Sequence, residues 1–488
     1  MIDAADPADA FGNEPPNNNG RANMGSYGNT SEASRVVAPP PFAGCLLTNN
    51  VGAGQTYATI QAGVNALPPT LVGHSCVVIR DGAIYPEQVT VQGFANNGSS
   101  ITIMADPGSG LQPIVAPAGG SAAFNIVNAS VNIVGVRVEP TAAVTYGIYV
   151  SSPYVTISSV SVYGPSLIGA TGIVTSSWTT VSYTSVTVGN AQGILLQGSV
   201  MTTVSYSSAT NSNATKPALY LSGASSSTII SVLAVNQGAG CSAARIENGG
   251  YNSVSLSSFT ASGAGCSGLY LNVGSSNSVT QSYLSGGYVG VYLNNSSSNT
   301  ISYSTMTGNS EAGLYAWGSD TNTVTQSYLW GGNTGIELVT GSDSNVISVS
   351  TMVGSTGNGF YALGASSNSV TRSRIWGAAV GASFNGGANA NAISISTVIG
   401  AGNYGFYALG SDSNTVTQSY VWGGNYGAYL ITGADSNAIS LSTMIGNSTN
   451  GFYTFGADSN TVTQSYIGAR TAPCWTLDPT TTPSTAAP

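Results

Sequence analysis

Val324-Thr325-Gln326-Ser327-Tyr328-Leu329 is followed by Ile347-Ser348-Val349-Ser350-Thr351-Met352, and the first phrase returns as Val416-Thr417-Gln418-Ser419-Tyr420-Val421. The positions that open such phrases, Ile301, Val324, Ile347, Val370, Ile393, Val416, Ile439 and Val462, step by 23 residues each time. Upstream the step loosens to 22–26 residues through Val131, Val155, Val181, Val204, Ile230, Val254 and Val279. A fixed period of this length is the signature of a repeat architecture with at least fifteen units.

Each unit holds short alternating runs separated by Gly, Asn, Ser and Asp, which reads as strands and turns rather than helix. Leucine-rich and ankyrin repeats are excluded, because neither their Leu/Asn phrase nor a helical half occurs. Stacking one unit on the next, about 4.8 Å apart, makes parallel sheets in which each residue lies over its equivalent. The columns fit that stacking. Three residues after each anchor runs a serine column, Ser282 to Ser465, and five after it an apolar column, Leu284 to Ile467. Two residues before the anchors run Asn322, Asn345, Asn368, Asn391, Asn414, Asn437 and Asn460. Asn tolerates left-handed bends and its amides hydrogen-bond along a stack, so this ladder is read as structural.

Of 488 residues, 63 are Gly and only 27 are charged (9 basic, 18 acidic), 6% against the roughly 25% of ordinary domains. The 26 Tyr, 10 Phe and 6 Trp argue against disorder. A net charge of −9, with Lys216 the only lysine, leaves no basic patch for phosphates and excludes nucleic acid as a partner. No apolar run approaches the roughly 20 residues of a membrane span. One His and five Cys without metal-ligand spacing exclude a zinc or haem cofactor.

The chain resembles the right-handed parallel β-helix superfamily of pectate lyases, pectin methylesterases and bacterial surface proteins, over about residues 50–470. The most specific stretch is Thr56-Tyr57-Ala58-Thr59-Ile60-Gln61-Ala62-Gly63-Val64-Asn65-Ala66 with Val77-Val78-Ile79-Arg80-Asp81-Gly82-Ala83-Ile84-Tyr85-Pro86-Glu87. It is similar to the helix and first coil that open pectin-methylesterase-like members, with Thr56 as the expected N-cap. The expected fold is all-β, a right-handed parallel β-helix with about 23-residue coils. Its expected parts are an arm or linker (1–40), a capping-helix region (41–75), the β-helix (76–471) and a Thr/Pro-rich tail (472–488). A second stretch, Ile2-Asp3-Ala4-Ala5-Asp6-Pro7 with Asn19-Gly20-Arg21-Ala22-Asn23-Met24-Gly25, resembles a segment that follows β-helices in bacterial surface proteins. Its place before the stack implies either a missing preceding domain or an arm that closes a neighbouring copy head-to-tail.

Catalysis is not expected. The family's catalytic phrases do not occur, and in the outward column from Tyr149 to Tyr453 the sole acid, Glu337, has no acidic neighbour. Arg245 lies four coils from it, about 19 Å away. Asp81 and Glu87, near His74, form a loose carboxylate pair read as structural. Asp412, Asp435 and Asp458, in a turn column with Asp320 and Asp343, are the one weak candidate for Ca²⁺. Surface-binding candidates are Tyr315, Tyr361, Tyr407, Tyr429 and Tyr453, with Trp330, Trp376 and Trp422 spaced 46 residues apart. Cys241 and Cys266, in matching phrases one coil apart, are expected to form a disulfide. Cys45 and Cys76 are a weaker pair, and Cys474 is unpaired or intermolecular. The expected protein is therefore an extracellular or cell-surface structural rod that self-assembles head-to-tail or laterally. A glycan-binding adhesive module using the Tyr face comes second, and a polysaccharide lyase, esterase or hydrolase third.

Overall fold

The computed structural model describes residues 44–469. The expected N-terminal arm, the C-terminal tail and Cys474 lie outside the described residues. The chain winds through about 17 turns of a parallel solenoid with roughly 23-residue coils. In one coil it runs through Val346–Ser348, Thr351–Gly354 and Asn358–Leu363 before Ser369–Thr371 opens the next. Equivalent strands pair in parallel, Ile347 with Val370, Met352 with Ile375 and Phe360 with Ala382. The first sheet has 18 strands and the third 16.

Alternation puts one set of side chains inside. Ile347, Met352, Phe360 and Ala362 are buried, and Phe384 packs edge-on between Phe360 and Phe406 at 5.8 and 5.3 Å. The turn between the second and third sheets is tight. A Cβ on Gly335 would lie 2.7 Å from the Val353 amide nitrogen, and one on Gly359 2.8 Å from that of Trp376, so only glycine lets the sheets approach there.

The asparagine ladder is continuous. Each backbone N–H donates to the side-chain oxygen of the next asparagine at 2.8 Å, from Asn277 through Asn322, Asn345, Asn368, Asn391, Asn414 and Asn437 to Asn460. In its central part the side-chain amides also donate along the axis, Asn345 to Asn368 and Asn368 to Asn391, both at 3.0 Å. The left-handed residue of this bend is not the asparagine but its predecessor: Ser344, Ser367 and Ser413 have φ of 58°, 59° and 59°. The asparagine's own task is to stack. A second left-handed corner follows the first strand at Val349 (51°) and Ile395 (49°), where β-branched residues tolerate that conformation poorly.

The first coil is covered by helix α1, Ile60–Asn65. Its N-cap is Thr59, three residues later than expected, whose hydroxyl accepts from Ala62 N. Glu87 explains the shift: its carboxylate accepts from Ile60 N at 2.7 Å and Gln61 N at 2.9 Å, tying the helix start to the second coil. A negative group suits those unpaired amides.

The cysteines correct one expectation. Cys45 and Cys76 form the disulfide, with Cα atoms 5.8 Å apart, whereas Cys241 and Cys266 are free and buried. Stacking brings those two coils together but does not set the side-chain torsion. The Cys266 thiol instead donates to Gly238 O, and burial raises both thiol pKa values, that of Cys241 to about 11.

Two expectations follow. Asn368→Ala leaves the buried Asn345 N–H without its acceptor and should cost about 2–3 kcal/mol; an unchanged urea midpoint would show that the ladder adds nothing. Alkylation with and without prior unfolding, followed by mass spectrometry, should label Cys241 and Cys266 only once the coils are opened, and a Cys241–Cys266 bond in native protein would contradict this structure.

Candidate functional site

The outward column of the third sheet holds its register over fourteen coils. Tyr270 pairs with Tyr292, Tyr292 with Tyr315, Tyr315 with Glu337 and Glu337 with Tyr361, and the column continues through Ser383, Tyr407 and Tyr429 to Tyr453. Consecutive rings touch: the centroids of Tyr270 and Tyr292, and of Tyr292 and Tyr315, are 5.0 Å apart. Toward the C-terminal end, Tyr404 and Tyr426, three residues earlier in their strands, add a second row. Tyr429 lies 4.8 Å from Tyr404, 4.9 Å from Tyr426 and 5.3 Å from Tyr453. Tyr315, Tyr361, Tyr407, Tyr429 and Tyr453 are half-buried, all but Tyr361 against a neighbouring ring; Tyr361 stands between Glu337 and Ser383.

Glu337 has an acidic partner after all. Glu311 occupies the turn four residues before Tyr315, in a row with Tyr288 and Asn333 that strand alternation does not reach. The Asn333 side-chain amide donates to Glu311 Oε1 at 2.8 Å. Half-burial, the Glu311 charge and a hydrogen bond with the Glu311 side chain push Glu337 up to about 7. The rings around it respond. Burial and then the Glu337 charge raise Tyr315 to about 12, and burial with Glu311 and Glu337 raises Tyr288. A row of turn residues read at that offset, Tyr288, Glu311 and Asn333, is the signal that would have found the pair.

Four coils up the same column, Arg245 is neutralised. It donates to Glu247 Oε1 at 2.7 Å and lies over the rings of Tyr220 and Tyr270 at 5.8 and 5.1 Å. Glu247 also accepts from Tyr220 OH and from the Asn272 amide. Burial raises the Glu247 pKa, but these donors and Arg245 outweigh it, and the carboxyl ends below its usual range.

The other candidates lie elsewhere. Asp81 is held by Ala53 N at 2.7 Å, Tyr85 OH at 2.7 Å and Ala83 N at 3.2 Å, and with Glu87 it lines a surface hollow of about 430 Å³ at the N-terminal end. Both carboxylates are therefore engaged in holding loops and helix. In the turn column, Asp412 accepts from Asp435 N at 2.8 Å and Asp435 from Asp458 N at 2.6 Å, an axial ladder like that of the asparagines. Among the described residues, His, Cys, Asp and Glu ligand atoms converge in a group of three only at Cys45, His74 and Cys76. Two of those are spent on the disulfide, while both His74 ring nitrogens meet the hydroxyls of Ser100 and Thr102. Trp330, Trp376 and Trp422 stand half-buried on the outer face of the second sheet, away from the glutamates.

Fold and site together define a parallel β-helix with two neighbouring glutamates, Glu311 and Glu337, set in a track of tyrosines. The sequence profile of the right-handed β-helix region matches residues 172–329, 220–375 and 267–421, together just over half of the chain, and the chain belongs to that family. No curated protein matches it. Several solved structures are similar to it at low identity. The A-module of a mannuronan C-5 epimerase from Azotobacter vinelandii is 12% identical, covering 83% of this chain and 91% of that one, with a TM-score of 0.37. A PL6-family alginate lyase is 10% identical over 83% and 88%, with a TM-score of 0.35. The Dettilon tailspike protein is 12% identical over 77% of this chain but only 62% of its own, with a TM-score of 0.34.

The raised Glu337 pKa sets a direction for stability. A group whose folded pKa lies above its unfolded value near 4.5 stabilises fully below that value and loses the contribution as pH rises through about 7. The melting temperature of the native protein should therefore fall between pH 5 and 8 relative to Glu337→Gln, whose profile should be flatter. Parallel profiles would mean that folding does not raise the Glu337 pKa.

Proposed function

We propose that this protein is a carbohydrate-acting β-helix, which lays a glycan along the tyrosine column and uses Glu311 and Glu337 as acid and base on a glycosidic bond. The observation that carries this reading is the position of the pair: Glu337, its pKa raised by burial and by Glu311, stands in mid-column with Tyr292 and Tyr315 on one side and Tyr361 on the other. Aromatic rings offer apolar faces to sugar rings, and the carboxyls supply a proton donor and a proton acceptor within one bond's reach. Glycoside hydrolysis needs two such groups. This reading departs from the expectation of a non-catalytic face, which rested on the absence of the family's catalytic phrases and on Glu337 having no acidic neighbour within its own column.

The Cys45–Cys76 bond favours an oxidising, extracellular setting, and no described helix is long and apolar enough to cross a membrane. A self-assembling rod is the second reading. It is favoured by Val349, Ile395 and Leu441, which are 51%, 49% and 52% exposed on one corner of the solenoid at every second coil.

Turnover of a panel of polysaccharides, followed by release of reducing or unsaturated ends, tests the first reading. Glu337→Gln and Glu311→Gln should each lower the rate at least about a hundredfold, the scale of a lost general acid or base, with folding intact. Turnover that survives both substitutions would exclude the pair.

A further inference from the structure

The second sheet carries a different aromatic pattern. Its outer column reads Trp330, Val353, Trp376, Ile399, Trp422, Ile445, each paired in register with the next. The tryptophans thus recur at every second coil, about 9.6 Å apart along the axis. Nothing in the fold imposes that gap, because Tyr270, Tyr292 and Tyr315 of the third sheet stack on successive coils. All three Trp side chains, with Val353 and Ile399 between them, are half-buried in a flat run of parallel strands, so each indole is open to the outside on this face alone. The neighbouring outward column is Tyr328, Thr351, Arg374, Thr397, Tyr420 and Thr443. Arg374 is its one charge.

We infer that this face is a platform for an extended, uncharged β-1,4-linked polysaccharide, with Trp330, Trp376 and Trp422 stacking on every second sugar of one chain. Three features select that ligand. In a chain of this linkage held in its two-fold form, successive sugars are turned over, so the same ring face returns once per disaccharide. That advance is close to the two-coil pitch of the tryptophans. The aliphatic rungs Val353 and Ile399 keep the intervening surface low, and the flanking Tyr328, Thr351, Thr397 and Tyr420 hydroxyls can reach the hydroxyl rim of the sugars. With Arg374 the one cation of these two columns and Arg372 on the adjoining corner of the same coil, the platform has no charge to set against a carboxylate on each sugar, which sets uronate polymers apart. The platform shares no residue with the glutamate pair, of which Glu337 lies on the third sheet and Glu311 in the turn before it.

Full-length protein should co-sediment with insoluble cellulose or chitin and not bind alginate or polygalacturonate, and soluble β-1,4-linked oligosaccharides should shift its tryptophan emission. Trp330→Ala, Trp376→Ala and Trp422→Ala combined should weaken that binding at least tenfold and abolish the emission shift. Trp376→Val combined with Ile399→Trp keeps three rings but breaks their pitch, and should weaken binding comparably while retaining the native melting temperature. Glu337→Gln should bind as the native protein does, so that loss of turnover and loss of the platform are read separately. Full binding by either tryptophan variant, preference for uronate polymers, or a dimer that shields these tryptophans and takes up no polysaccharide would each overturn the inference.

Discussion

Axial stacking in register is the constraint from which the rest of this molecule follows. Every side chain has its counterpart about 4.8 Å above and below, so a residue type must be compatible with itself. Two like charges at that distance cost between about 1 kcal/mol in water and about 4 kcal/mol near a protein surface, and a charged column would incur that cost at every coil. Amides do the opposite: the oxygen of Asn368 accepts from Asn345 N while its own N–H donates to Asn391. A chain that is 6% charged and rich in Asn, Ser, Thr and Tyr is what this stacking selects. Where acids do line up, as in the Asp412–Asp435–Asp458 turn, two of the carboxylates are occupied by the next coil's N–H.

Glu311 and Glu337 break that rule. They sit on adjacent coils, and burial with the Glu311 charge raises the Glu337 pKa where an ion pair would lower it. Glu247, on the same face, shows the ordinary solution, because Arg245 and two further donors hold it ionised. A stack that has excluded acidic neighbours almost everywhere, yet keeps one uncompensated pair amid tyrosines, departs from its own self-consistency where chemistry would be placed.

How much was legible from residues alone depended on whether a position lies in a strand. The period is set by strand pairing, so the column from Tyr149 to Tyr453 could be written down and holds throughout. Glu311 was invisible to that reading, because it lies in the turn where alternation lapses and only side-chain reach brings it to Glu337. The left-handed residue was misplaced by one for a related reason. Composition marks Asn as tolerant of the bend, but the hydrogen-bonding demand of the stack places Asn after it and leaves Ser344 or Ser367 to take the unfavourable φ. Thr59 rather than Thr56 caps α1 because the long-range partner Glu87 fixes where the helix begins. Coil spacing brought Cys241 and Cys266 level, yet it carried no information on the torsion that turns the Cys266 thiol toward Gly238.

The 46-residue recurrence has a simpler source that must be weighed against function. Anchors alternate Val and Ile, Val324, Ile347, Val370, Ile393, Val416, Ile439, Val462, so the unit that multiplied is a pair of coils, and any residue in it would inherit a two-coil pitch. Inheritance alone predicts that exposed positions drift together. They have not: Gln326 and Tyr328 correspond to Arg372 and Arg374 in the next copy and to Gln418 and Tyr420 in the one after, beside an unchanged Trp330, Trp376 and Trp422, whereas the flanking copies keep Gln281 and Tyr283, and Gln464 and Tyr466, but carry Ser285 and Gly468 in the Trp place. Burial does not account for this, since the tryptophans are only half-buried and Val353 or Ile399 serves the same column on alternate coils. Duplication supplied the spacing, and the indoles vary independently of their neighbours, present in three consecutive copies and replaced by Ser285 and Gly468 on either side, so the Trp row is a bounded stretch of the face and not a property of every repeat.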